Sequence, residues 1–253
     1  MNVMKVMPQL SLSPCGPVNE AGEQVHFRQG DLDGACGPYS LLMALVANGI
    51  ISRFEASYMG LNDGRTRLGK FHNRLAEFGG LINNGTNGCD LDWLVDCFRN
   101  QISLEKFSGN TRSMVTELVA AVTDGYSSII GVDWPGGEGH WLLVVGYQGQ
   151  VVEVAGAKSQ TNVTHLLCLA PFLEAPRVSL WNAVLEVQTA DGTVVNAGPF
   201  PSNHWGGVEP SKCRITNGLG IGNAVGLGWT FRAADKRIFK IIRSKIDDHS
   251  SSF

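Results

Sequence analysis

The sequence has no apolar run of the roughly 18 residues that a membrane-spanning helix requires. It also lacks a dense basic patch. Twenty lysines and arginines against 23 acidic residues leave a net charge of −3, where a nucleic-acid surface would need a positive stripe. The six cysteines form no C-x-x-C, which sets aside a zinc ribbon or a thioredoxin-type motif. There is no internal repeat. The opening "MNVMKVMPQLSLSPCGP" breaks its apolar residues with a lysine, polar residues and prolines, unlike the unbroken core of a signal peptide. These absences predict a cytoplasmic chain, or one secreted without a classical signal peptide. Neither membrane nor nucleic acid is expected as a partner. No cofactor or metal is expected either, since a site built from Cys36, His140 and Cys213 has no ligand spacing behind it.

What is present is ample apolar material, 43% of the residues, enough for one large core. Glycine is abundant at 31 residues and concentrates in 79–88, 136–149 and 206–228, which read as loops. From Pro38 to Ala47 the chain is apolar on every side, the mark of a buried helix, and Asn48-Gly49 ends it. Leu68, Phe71, Leu75 and Phe78 share a face of a second helix, Arg67 to Phe78. Asp90, as N-cap, opens a third, to Gln101, and a fourth runs from Thr111 to Thr123. Then the period changes. "SSIIGVDW" and "HWLLVVGY" read as strands, "QGQ" as a tight turn and "VVEVAG" as the return strand. Further strands fit 183–188, 192–195, 229–232 and 237–243. Helices followed by strands predict an α+β fold with N-terminal helices packed on a C-terminal antiparallel sheet. Three parts are expected: an extension over 1–24, a core over 25–174, and a β-rich part over 175–253 that completes the sheet or forms a lid or small subdomain. The stretch Pro171–Pro176 is the best boundary.

The stretch "QGDLDGACGPYSLLMAL" carries the chemistry. It sets Cys36, flanked by glycines, at the start of the buried helix. A thiol there feels the positive end of the helix dipole and faces backbone N–H groups without intrahelical partners. Both favour the thiolate, and the same N–H groups can hold an oxyanion. A buried cysteine at a helix start is also common in its own right, so a base must be found within reach. Of six histidines, His249 lies in the polar tail, and His72 falls on the polar side of the second helix, where a surface position is expected. His26 reads as a surface or substrate-loop residue and His165 as structural. His204, in the glycine-rich "FPSNHWGG", is the rival to His140, which opens a strand after the "PGGEG" loop.

Cys36 followed far downstream by "GHWLLVVGY" resembles the papain-like cysteine peptidases, which place Q-G-x-C-G-x-C at a helix start and H-A-V-x-x-V-G-Y on a later strand. The run "SSIIGVDWPGGEGH" is more similar still to the bacteriocin-leader, or double-glycine, peptidases of peptide exporters. "DGACG" also resembles the D-G-N-C of ovarian-tumour-type deubiquitinases. The resemblance covers residues 28–48 and 125–156 and says nothing of 175–253. It implies a papain-like fold in which Cys36 is the nucleophile and His140 the general base, then acid. It implies that Gln29, seven residues before Cys36 and one further than in papain, donates to the oxyanion. These families orient the histidine with Asn or Asp from the next strand. A "QGQ" turn would set residues 156–158 opposite His140, where no side chain is a suitable acceptor. Ser159, Gln160, Asn162 or a backbone carbonyl would then orient it, or a Cys-His dyad acts alone.

Three functions follow as expectations. The first is a thiol protease cleaving amide bonds of a polypeptide through a Cys36 thioester. The second is a deamidase, transglutaminase or acyltransferase, such as a bacterial effector toxin modifying a host protein. The third is a non-catalytic binding module on a decayed peptidase fold.

Overall fold

The computed structural model describes residues 1–30, 34–58, 63–77, 85–108, 111–133, 139–152, 160–187 and 214–223. The expected strands at 192–195, 229–232 and 237–243 lie outside these, as do His204, His249, Cys213 and Ser159.

The most apolar segment becomes the central helix α1, Cys36–Ala47, with all but Tyr39 buried. It ends as a glycine stop should. Gly49 takes φ +64°, and the N–H groups of Gly49 and Ile50 return to the carbonyls of Val46 and Leu45. Helix α2 is Arg53–Ser57, capped by Ser52 and Glu55. Helix α3 is Arg67–Glu77 and buries Gly69, Phe71, His72 and Leu75. Helix α4, Gly88–Val95, starts two residues earlier than its expected N-cap. The cap is Asn87, and Asp90 is the third helical residue of a capping box, reaching back to the Asn87 N–H at 2.8 Å. A 3-10 turn, Asp96–Phe98, follows. Helix α5 is Thr111–Thr123.

One sheet carries seven strands. They are β1 Asn2–Val6, β4 Ile102–Phe107, β5 Ser127–Asp133, β6 Gly139–Val152, β7 Gln160–Leu169, β8 Ala183–Glu186 and β9 Arg214–Asn223; β2 Ser11–Ser13 and β3 Gly16–Val18 form a separate hairpin. The order is β4-β9-β5-β6-β7-β8, every pair antiparallel. Strand β5 lies along Gly139–Val144 of β6, and β1 takes over the same edge along Gly146–Gln150. The molecule is thus mixed α+β, but not helices first and strands after. The N-terminal segment enters the sheet as β1, β4 sits between α4 and α5, and β9 is inserted between β4 and β5.

Two sequence expectations fail for one reason, the double meaning of glycine. "QGQ" is no turn, because β6 runs straight through it to Val152. Gly149 sits at a bulge against β7, where a Cβ would come within 2.4 Å of the Asn162 carbonyl oxygen. In the glycine-rich 206–228 region, Gly218, Gly220 and Gly222 belong to β9. A Cβ at Gly218 or Gly220 would strike the Phe107 ring, and one at Gly222 the Tyr126 ring.

Helices cover both faces. On β4 the adjacent residues Lys106 and Glu105 point opposite ways. Lys106 pairs with Asp92 of α4, whereas Glu105, toward α5, has its carboxyl pushed up by burial and then by Asp124 and Glu117. Trp141 lies on the α1 and α4 face with Gly131 and Asn217. Among the described residues no helix is long and apolar enough to cross a membrane.

Candidate active site

Cys36 is the first residue of α1 and is 6% exposed. Its N-cap, Ala35, offers no side-chain acceptor, and no acidic residue occupies the first turn, so nothing in that turn opposes an anion. Of the described cysteines, Cys36 and Cys168 are buried, while Cys15 and Cys89 are exposed.

The start of α1 abuts the start of β6. Gly37 lies so close to Trp141 that a Cβ would stand 3.1 Å from its Cδ1 and 2.1 Å from Thr86 Oγ1. One turn on, Ser40 Oγ donates to the Trp141 carbonyl at 3.0 Å, and Trp141 Nε1 donates to the Thr86 carbonyl at 2.8 Å. Cys36 and His140 are the chain neighbours of these touching residues. Pleating turns His140 and Trp141 to opposite sides of the strand. His140 is the second residue of β6, half-buried at the sheet's end.

The side chain set against the His140 ring is Phe172, edge-on at 4.6 Å between centroids. This corrects the expected cross-strand partner. Leu143 pairs with Leu169, so continuing the ladder brings residue 172, not 156–158, opposite His140. Gln160 and Asn162 pair with Val152 and Gln150. Asn162 therefore lies ten residues along β6 from His140, roughly 33 Å away, and neither residue can orient the ring.

Gln29 joins the same corner through its backbone, its N–H donating to the Pro171 carbonyl at 2.8 Å. The turn after β7 therefore carries a contact to Gln29 at Pro171 and a contact to His140 at Phe172. That turn is held from within by a group the sequence reading missed. Asn182 Oδ1 accepts from the Ala170 N–H at 2.7 Å, and Asn182 Nδ2 reaches the carbonyls of Ala170 at 3.1 Å and Glu174 at 3.0 Å. His26 Nε2 sits 3.1 Å from the Ala170 oxygen and 3.2 Å from Asn182 Nδ2. Nothing in "LWNAV" marks Asn182; its part depends on contacts between distant segments.

His26 thus lies in an irregular segment but is buried in the core, 3% exposed, and not on the surface. Burial pushes its pKa down, the Ala170 hydrogen bond raises it, and Arg53 lowers it. His72 is not on the surface either: it is buried beside Phe71, and burial lowers its pKa too. Position 72 flanks the Phe71–Leu75 stripe closely enough to share its burial. His165 lies on β7, its Nδ1 2.9 Å from Thr164 Oγ1.

A cleft of about 230 Å³ opens on the far side of Trp141, bounded by Leu91, Lys106, Asn217 and Leu219. Its walls are mostly apolar. Among the described residues no group of three His, Cys, Asp or Glu is placed to hold a metal ion. No protein-family model matches the chain, and no curated protein is significantly similar to it.

Proposed function

We propose that the chain is a thiol hydrolase of papain-like architecture that cleaves amide bonds in a polypeptide. The Cys36 thiolate attacks the carbonyl carbon, and His140 hands its proton to the departing amine as the C–N bond breaks. Water, deprotonated by His140, then releases the acyl group from sulfur. The α1 N–H groups and the Gln29 side-chain amide would share the oxyanion. The observation that carries this reading is the contact of Gly37 with Trp141, which ties the start of α1 to the start of β6.

The test is labelling with a peptide-like electrophile, read by mass on tryptic fragments. Exposure alone would favour Cys15 and Cys89. Labelling at Cys36, lost in Cys36→Ala and slowed about 100-fold or more in His140→Gln, supports the proposal. A label that prefers Cys15 or Cys89, or a rate indifferent to His140, overturns it. With substrate proteins, fragments are expected; a mass gain of about 1 Da without cleavage would move the chemistry to deamidation on the same thioester route.

A further inference from the structure

The proposed base is packed against a phenylalanine, so something else must hold that phenylalanine still. We infer that Asn182 is a positioning residue for His140, acting through the 170–174 turn; this rests on the hydrolase reading above. The geometry is specific. Asn182 is 7% exposed, and its side chain takes the Ala170 N–H and serves the Ala170 and Glu174 carbonyls, so one amide clamps both ends of the turn. Its own N–H is fixed to the Cys168 carbonyl at 3.0 Å, anchoring the clamp to β7. Leu173 N–H closes on the Ala170 oxygen at 3.2 Å. What this turn presents outward is Phe172, on the His140 ring, and the Pro171 carbonyl, on Gln29. Asn182 acts at a remove from the Cys36 sulfur and the His140 ring, by fixing the surfaces on which that ring and the Gln29 backbone rest.

The amide group, not the volume, does this. Asn182→Asp keeps the acceptor for the Ala170 N–H but removes the donations to the Ala170 and Glu174 carbonyls and sets a carboxylate against His26. The experiment measures the rate of Cys36 alkylation by iodoacetamide from pH 5 to 9, by intact mass, in the whole protein. The parent is expected to react with a midpoint well below the free-thiol value of about 8.5, as a thiolate–imidazolium pair does. In Asn182→Asp, shown folded by circular dichroism, the midpoint is expected to rise by about one unit, a tenfold loss of thiolate on the acid side. In a His140→Gln background the same change is expected to do nothing further, because its effect passes through the ring. Phe172→Leu, which leaves the clamp intact, is expected to shift the midpoint in the same direction and serves if Asn182→Asp fails to fold. A parent profile retained in folded Asn182→Asp, or in Phe172→Leu, overturns the positioning role alone. So does a shift that persists without His140. A parent midpoint near 8.5 overturns the hydrolase reading, and this inference with it.

Discussion

Two glycines separate two kinds of constraint at the ends of one helix. At Gly37 the backbone is ordinary and the space is not: an added methyl meets Thr86, Trp141 and Leu91. Gly37→Ala is expected to lower stability by about 1–3 kcal/mol through overpacking, and to disturb Cys36 reactivity by displacing Trp141. At Gly49 the space is open, with nothing within 4 Å of a Cβ, but φ is +64°. Gly49→Ala is expected to lose about 1–2 kcal/mol from conformation alone, leaving Cys36 labelling unchanged. Urea midpoints with labelling rates check both. His26 supplies a third residue-scale expectation. Its folded pKa lies below the ordinary 6.5, so the fold disfavours its protonation. The stability this neutral histidine allows is complete above about pH 6.5 and falls as the pH drops below it through the depressed value. His72 adds in the same direction. Urea unfolding at pH 7.5 and pH 5 should show less stability at the lower pH, and His26→Gln should narrow the gap. At this scale the sequence placed Cys36 at a helix start and His140 at a strand start, where the structure has them. It hid Asn182, His26 and Phe172, because a side chain that clamps a distant turn leaves no periodic or motif trace.

Single elements were most legible where one period ran undisturbed. Helix α1 reads from its continuous apolar run, and β5 from "SSIIGVD". Legibility failed where glycine served packing rather than turning. Gly149 marks a bulge inside β6, and the alternating glycines of β9 make room for Phe107 and Tyr126. The rings lie over bare backbone, which lets a strand of little side-chain mass still bury apolar surface. Gly220→Val, favourable by strand propensity, is therefore expected to destabilise the protein, since its Cβ would lie 2.8 Å from Phe107 Cζ. A lowered thermal midpoint checks this; an unchanged or raised one would mean Phe107 can move aside. Strand β1 escaped notice because five residues with a central lysine-flanked alternation carry little signal, although they protect the β6 edge left open where β5 ends.

The whole molecule is ordered by its latest described strand. Strand β9 pairs with β4 along Ile102–Phe107 and with β5 along Ser127–Asp133. It is an interior strand, not an appendage, and its Asn217 stands beside Trp141 in the cleft wall. A chain truncated after Val187 is expected to lose the cooperative unfolding transition, since two strands would each lose a full ladder of hydrogen bonds; calorimetry would show this. A truncated chain that still melts sharply would mean that β5 and β6 suffice with the helices. The arrangement also sets an order in time. Cys36 and His140 leave the ribosome well before Arg214–Asn223, the segment that supplies Asn217, Gly218 and Leu219 to the cleft wall. A nascent chain therefore carries both residues before the cleft is assembled, and the cleft is complete only once residues 214–223 have emerged.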